Sequence, residues 1–411
     1  MDELLFLVHR IPYPPNKGDK VRSFHILKAL ADRYRVRLGA FVDDPDDWRH
    51  AEKVREYCAE VRLIGLHPKR ARLRSVRGFL TGRPLTLPYF FDRRMRSWVD
   101  QVLREHDIRR ILVYSSAMAQ YVLSTPVCAA ARRVLDFVDV DSDKWRQYSA
   151  RLTGPMRLVY RREARRLLIY EQTIAGVFDA SVLVSAAEAA LFRKLAPRAA
   201  ARVVHINNGV DTRFFSPDGG YSDPYGAGGR VVVFTGAMDY WANVDAVCWF
   251  VAEVFPRIRV RVPDARFYIV GARPDDAVRR LVDRAGVFVT GSVEDIRPYL
   301  AHAAVAVAPL RIARGVQNKV LEAMAMAKPV VASPQALDGL ELGDPAPLVA
   351  TDPGTWVTQV EPFLLGCANA GLGAGLRAWV RARYDWDANV RRFQDLLEGV
   401  APAGDGGKAT P

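Results

Sequence analysis

Short runs of aliphatic and β-branched residues alternate with amphipathic stretches of helical period along most of the 411-residue chain. That alternation predicts parallel sheets covered by helices. The first unit reads as strand Leu4–Val8, loop His9–Lys20, helix Val21–Tyr34 and strand Val36–Val42. Further strands are predicted at Ile111–Tyr114, Arg133–Phe137, Ala180–Val184 and Val203–Ile206. The alternation then restarts with strand Val231–Thr235, a helix from about Val244, strand Arg266–Val270, helix Asp276–Ala285 and strand Val287–Thr290. Helix Ile296–His302, strand Val305–Ala308, helix Lys319–Ala327 and strand Pro329–Ala332 complete the series.

Between the two series lies Ser216–Gly229, SPDGGYSDPYGAGG, with no periodic apolar pattern, which reads as a linker. The expected fold class is α/β, with two Rossmann-like doubly wound domains. In such sheets ligands bind at the carboxyl ends of the strands. Residues 1–215 are read as the first domain and 230–382 as the second. A final amphipathic helix over 383–399 carries Trp386, Val390, Phe393, Leu396 and Leu397 on one face and is expected to return toward the first domain. Residues 400–411 read as a disordered tail.

Half the residues are hydrophobic and 26% charged, a soluble globular composition. No apolar run is long enough to span a bilayer. Met1-Asp2-Glu3 places acids where a signal peptide carries bases, so a cytoplasmic location is expected. Cys58, Cys128, Cys248 and Cys367 are scattered and form no C-x-x-C pair, which points to structural thiols.

The net charge of +13 is unevenly placed. Arginines crowd residues 62–110, and Arg161, Arg162, Arg165 and Arg166 recur at helical spacing. Such a field attracts a membrane surface, a lipid-linked phosphate or nucleic acid, although arginines also decorate solvated faces. No zinc module, helix-turn-helix signature or aromatic RNA-binding strand accompanies the charge, so nucleic acid is not an expected partner.

The segment carrying most chemistry is Pro309–Ser333, PLRIARGVQNKVLEAMAMAKPVVAS. It reads as strand end, basic loop, helix, turn and buried strand. A helix N-terminus offers free N–H groups and partial positive charge to a phosphate. Arg311, Arg314 and Lys319 add full charges there, Gly315 allows close backbone approach, and Asn318 sits beside them. Glu322 is placed in the first turn, where its carboxylate can accept two ribose hydroxyls. A surface loop entering a core helix would show the same residue types.

KVLEAMAMAKPVVAS resembles the donor-binding helix of GT-B glycosyltransferases, particularly the retaining family 4. Asn208-Gly209-Val210-Asp211 with Phe214 and Pro217 resembles that family's segment before the interdomain linker. Phe234-Thr235-Gly236 resembles the opening of its second domain, and HRIPYPPNKGDK its glycine-bearing first loop. The Arg311–Lys319 stretch and NKGDKVRSFH further resemble the sugar transferases of exosortase (PEP-CTERM) exopolysaccharide systems.

The resemblance implies two domains facing each other across a cleft, with closure about the linker excluding water. It implies Gly18 against the donor diphosphate, Lys319 with Arg311 or Arg314 on the leaving phosphate, and Glu322 on the ribose. It also implies Val293 near the base, with Gly236 and Gly271 at strand ends facing the pocket. Two departures stand out: the family's Glu-x7-Glu pattern has Arg314 in place of its first Glu, and Gly236 leads into Ala-Met-Asp-Tyr-Trp-Ala-Asn without the usual Arg and Lys.

In the first half, Ser115 and Ser116 follow a strand and are candidates for the acceptor side, though a strand-end serine pair is also ordinary loop chemistry. His9 follows the first strand, but a lone loop histidine is more often structural. Asp139, Asp141 and Asp143 in DVDSDK look like a metal-binding DxD. Because GT-B enzymes generally use the helix and basic residues instead, Asp139 and Asp141 are read as acceptor-orienting groups. No metal or other cofactor is expected.

The function implied is transfer of a sugar from a nucleotide-diphosphate sugar to a glycan or lipid-linked acceptor, with retention, in exopolysaccharide biosynthesis. The basic first domain would then sit peripherally at an anionic inner leaflet. A non-catalytic subunit of a polysaccharide assembly complex and a nucleotide-sugar epimerase of GT-B fold are the alternatives.

Overall fold

A computed structural model describes residues 1–15, 18–123, 130–226, 230–313, 315–368 and 371–400. Their strands form two sheets. The first contains β1 (Asp2–Val8), β2 (Tyr34–Val42), β3 (Glu60–Gly65), β4 (Arg110–Tyr114), β5 (Arg132–Val138), β6 (Ala180–Leu183) and β7 (Val203–His205). Its order is β3-β2-β1-β4-β5-β6-β7. The second contains β8 (Val231–Thr235), β9 (Arg266–Val270), β10 (Val287–Gly291), β11 (Val305–Ala308), β12 (Val330–Ala332) and β13 (Leu348–Val349), in the order β10-β9-β8-β11-β12-β13. Every ladder is parallel. In both sheets the strand order reverses beside the first strand, the doubly wound arrangement.

The continuous apolar strands take central places because both faces are covered. β1 lies between β2 and β4, and Leu4 to Val8 are fully buried. One face of this sheet packs Leu5, Leu7, Val99, Ile111 and Phe192 together. The other packs Leu4, Phe6, Ile26, Leu27 and Leu112 with Phe393, Leu396 and Leu397. Those last three lie on the helix Trp386–Glu398, whose Glu398 accepts hydrogen bonds from Tyr34 Oη (2.6 Å) and Arg110 Nη2 (2.6 Å).

Two strands escape the hydropathy pattern. β3 is an edge strand reading EVRLIG, and its Glu60 pairs with Arg37 rather than entering an apolar face. β13 has only two residues. Some helix bounds also differ. The first helix runs Gly18–Ala31, and Tyr34 opens β2 instead of ending that helix. The predicted helix over 276–285 is a single α turn, Asp276–Arg279, followed by a 3₁₀ turn, Arg280–Asp283. The last helix begins at Trp386 because Gly371–Arg383 forms a separate one.

The chain divides into two compact units, 1–207 with 389–411, and 208–388. Within the second, the Asn208–Asp211 motif is a docking segment. A Cβ on Gly209 would meet Trp386 Cδ2 and Tyr384 O at 2.8 Å each. Val210 N donates to Tyr384 O (2.7 Å), Asp211 Oδ1 accepts from Arg213 N and Phe214 N, and Arg297 stacks over the Phe214 ring at 3.8 Å. Tyr225 Oη then donates to Tyr299 O (2.6 Å).

Inside the first unit, Arg22 and Asp136 form a fully buried ion pair that fastens the first helix to β5, with Arg22 Nε 2.7 Å from Asp136 Oδ2. Arg22 Nη1 also donates to Ile206 O (2.9 Å). Burial pushes Asp136 above the usual carboxylate range, with Arg22 pulling against it. Asp136→Ala is expected to cost about 3–5 kcal/mol in urea unfolding, because it leaves a buried cation without its partner. Adding Arg22→Met should recover part of that loss; equal or greater destabilisation of the double variant would contradict this reading.

Candidate functional site

The second unit assembles its site from two strand ends, one loop and one helix. β8 ends at Thr235, and Gly236 follows with φ +156°, its N–H donating to Val270 O (3.0 Å). β9 ends at Val270, and Gly271 follows with φ +157°. A Cβ on Gly271 would lie 1.7 Å from Gly236 O, so the two strand ends come together only with glycine there. A Cβ on Gly236 would lie 2.8 Å from Asn243 Nδ2 and 3.3 Å from Lys319 Cε. The bare backbone at 236 thus leaves room for the lysine to cross.

Lys319 is the second residue of the helix Asn318–Ala325. Its Nζ donates to Asn243 Oδ1 (2.5 Å) and lies 4.8 Å from the centre of the Phe234 ring. Asn243 is fixed in turn by donating Nδ2 to Ala237 O (2.8 Å). No carboxylate forms a salt bridge with Lys319 among the described residues, and its ammonium rests on an amide oxygen and an aromatic face. Asn318 Oδ1 is buried without a hydrogen-bond partner among the described residues.

Upstream, Gly315 adopts φ +61°, and a Cβ on Gly339 would meet Gly315 C at 3.0 Å, so this turn is held closely. Gln317 donates Nε2 to Gly315 O (3.2 Å) and precedes the helix as its cap residue. Arg311 binds Asp245 through Nε (2.9 Å) and Nη2, so its charge is balanced by a partner that the sequence pattern did not reveal. Arg314 lies outside the described residues. Val293 is half-buried and packs against the second unit's core.

Glu322 requires a correction. The helix starts at Asn318, so Glu322 is its fifth residue and lies one turn in, not in the first turn. Burial raises its carboxyl to about 7, with the charge of Lys319 pulling it down. Burial likewise lowers Lys319 to about 8, and Glu322 opposes that shift.

The first unit's candidates also cluster at strand ends. Gly18 is the first residue of its helix, exposed, with open space where a Cβ would stand. Ser115 follows β4 with φ +76° and donates its N–H to Asp136 O (2.8 Å). Ser116 is buried, and its hydroxyl has no partner among the described residues. Asp139 and Asp141 both engage Lys144, at 2.7 and 3.3 Å from its Nζ. They therefore sit as an ion triad, and among the described residues no group of three His, Cys, Asp or Glu side chains is placed to hold a metal. His9 stacks on Tyr114 (5.6 Å between centroids, 8° between planes), meets Phe90 edge-on, and has Nε2 3.5 Å from Asp19 Oδ2.

Residues 229–364 match the family model described as Glycosyl transferases group 1. Gly236, Gly271, Asn243, Lys319 and Glu322 all fall inside the matched residues. No curated protein gave a significant match. Solved structures agree on the fold: Anabaena HepE in complex with UDP has a TM-score of 0.64 at 16% identity, covering 97% of this chain and 100% of its own. Sucrose-phosphate synthase from Thermosynechococcus elongatus has a TM-score of 0.66 at 17% identity, over 97% and 99%. WaaG, a glycosyltransferase involved in lipopolysaccharide biosynthesis, has 0.61 at 15%, over 96% and 100%. With its two parallel sheets, the chain has a two-domain Rossmann-like GT-B fold.

Asn243 and Asp245 were not singled out by motif, and Phe234 was read only as part of the Phe234-Thr235-Gly236 opening. The available signal was the run Asp-Tyr-Trp-Ala-Asn after Gly236, which places an amide where a cation was missing.

The Lys319–Glu322 pair predicts a stability minimum. Folded Glu322 keeps its proton to about pH 7, against an ordinary value of 4.5. The folded state therefore binds more protons across that window, and stability falls as pH rises through it. Folded Lys319 gives up its proton near 8, against 10.5. Stability then rises from about 8 toward 10.5. Melting temperatures against pH should lose the fall in Glu322→Gln and the rise in Lys319→Met; profiles parallel to wild type would refute both assignments.

Proposed function

We propose that this chain is a retaining glycosyltransferase of the family 4 type, moving a sugar from a nucleoside-diphosphate sugar to a glycan or lipid-linked acceptor in exopolysaccharide biosynthesis. The observation that carries the reading is Lys319, seated at a helix start over the glycine-lined ends of β8 and β9. Bare backbone, helix N–H groups and a lysine without a carboxylate partner among the described residues make a cradle for a diphosphate.

In this reading the diphosphate lies against Gly236, Gly271 and the loop at Gly315, with Asn318 and Lys319 donating to its oxygens. Arg314 supplies further positive charge, Arg311 being paired with Asp245, and Glu322 accepts the ribose hydroxyls. Val293 flanks the base. Cleavage breaks the bond between the anomeric carbon and the diphosphate oxygen, and negative charge develops on that oxygen. The acceptor oxygen bonds the same carbon on the same face, and its proton passes to the departing diphosphate. Lys319 stabilises the charge as it forms. The chemistry asks for no metal, since helix and lysine meet the leaving group.

Asp139 and Asp141, held by Lys144, orient the acceptor with Ser115 and Ser116. The peripheral-membrane assignment rests on Arg161, Arg162, Arg165 and Arg166, which line one surface depression of about 390 Å³ with Leu158 and Ile169. No helix among the described residues is long and apolar enough to cross a membrane.

A thermal-shift screen against UDP, GDP, ADP and their common sugars tests the reading. One nucleotide at 100 times its dissociation constant should stabilise the fold by roughly 2.7 kcal/mol. Glu322→Ala should lose most of that shift, and release of free nucleotide from the matching sugar nucleotide should follow. No shift with any nucleotide would overturn the donor-site assignment.

A further inference from the structure

The first unit holds a second concave site, built from elements that the donor reading does not use. The helix Pro155–Val177 passes the short helices Arg77–Thr81 and Thr86–Tyr89, and polar contacts tie them together. Glu163 accepts from Leu85 N (2.6 Å), Thr86 N (3.0 Å) and Thr86 Oγ1 (2.8 Å). Arg162 donates to Gly78 O (2.6 Å) and lies over the Phe79 ring at 4.7 Å. Beside this joint is a pocket of about 380 Å³.

Its polar wall is made by Arg83, Arg96, Arg166 and Tyr170. Arg96 is held in place by donating to Tyr121 O (2.9 Å) and Gln120 O. The Tyr170 hydroxyl is buried and has no hydrogen-bond partner among the described residues. Burial pushes that phenol up, while the charges of Arg83 and Arg96 pull against it, which places both guanidinium groups within electrostatic reach of the hydroxyl. The neighbouring carboxylates are engaged elsewhere, Asp92 by Arg94 and Glu163 by the Leu85–Thr86 backbone. Among the described residues Arg83, Arg96 and Arg166 enter no salt bridge.

The other wall is apolar. Leu87, Phe91 and Leu123 line it, and Phe91 is fixed by stacking on Tyr121 (6.2 Å, 3°). The rim continues through Arg166 and Ile169 into the depression lined by Leu158, Arg161, Arg162 and Arg165. Leu158 and Ile169 are 67% and 53% exposed, and Leu80, on the helix that Arg162 holds, is 88% exposed.

Three guanidinium groups without carboxylate partners, converging with a buried unused hydroxyl beside an apolar wall, match a phosphate that carries an apolar tail. We propose that this pocket binds a phosphate monoester or diphosphate group, borne by a lipid of the acceptor or of the membrane. Arg83, Arg96 and Arg166 meet the phosphate oxygens, Tyr170 donates its hydroxyl hydrogen to one of them, and Leu87 and Phe91 cover the first carbons of the chain. The exposed leucines and Ile169 then lie at the level of the surrounding lipid.

The test uses no nucleotide, so its failure leaves the donor reading standing. The full chain is mixed with phosphatidylcholine vesicles containing phosphatidic acid, with vesicles containing phosphatidylglycerol at matched surface charge, and separately with pyrophosphate. Wild type should prefer the phosphatidic acid vesicles, with pyrophosphate competing. Combined Arg83→Ala and Arg166→Ala should weaken both interactions by about tenfold or more, since charge-assisted hydrogen bonds to the phosphate are lost. Tyr170→Phe should weaken them less, and all variants should melt like wild type and keep any nucleotide-induced shift. Pyrophosphate binding with the same variant dependence but no vesicle binding would uphold the pocket and assign it to a soluble phosphate. Equal binding to both anionic vesicles, unchanged by Tyr170→Phe, would overturn the proposal in favour of diffuse attraction. Absence of binding to every probe would overturn it outright.

Discussion

The close approach of Gly271 to the Gly236 carbonyl is the constraint on which the second unit's site depends. Any side chain at 271 would collide with that oxygen. With the strand ends pressed together, Gly236 stands under the path of Lys319, and Asn243 can take the lysine's proton-bearing end. Sheet, loop and helix therefore fix a cation through contacts that contain no acid. An ammonium so placed is poorly compensated, which is why burial lowers its pKa to about 8. A bound diphosphate would supply the missing negative charge. In the proposed reading these same features favour an anion beside Lys319.

The first unit uses its charges differently. Arg22 and Asp136 are buried as a pair and serve the fold, as do Lys20 and Asp47, 2.6 Å apart. Asp139 and Asp141 share Lys144, so the aspartates that look like a metal motif are one side of an ion triad. The arginines of the helix Pro155–Val177 and its neighbours remain at the surface, interleaved with exposed leucines. These charges are matched within the fold, whereas Arg83, Arg96 and Arg166 enter no salt bridge among the described residues and line a pocket with apolar neighbours.

Hydrophobic periodicity was sufficient to read the two doubly wound sheets, because central parallel strands such as β1 and β8 are buried on both faces and read as unbroken aliphatic runs. It failed at the edges. β3 is charged because an edge strand needs no second apolar face, and β13 is too short to carry a pattern. At the site, glycines after strands and a lysine at a helix start were legible because backbone geometry demands them locally. Asn243 and Asp245 were not, since holding Lys319 and Arg311 depends on residues 76 and 66 positions away. Glu322 was misplaced for a smaller reason: the helix begins at Asn318, one residue before the expected start, which moves Glu322 from the fourth position to the fifth.

The central claim is that Lys319, over the paired glycines, recognises a diphosphate. Calorimetric titration with UDP and with uridine, near pH 8 and in two buffers of different ionisation enthalpy, tests it most directly. The account predicts that UDP binds far more tightly than uridine, and that binding takes up protons as the anion restores the charge on Lys319. In Lys319→Met the preference and the proton uptake should both disappear. Equal binding of UDP and uridine to wild type, or a preference for UDP that survives in Lys319→Met, would contradict it.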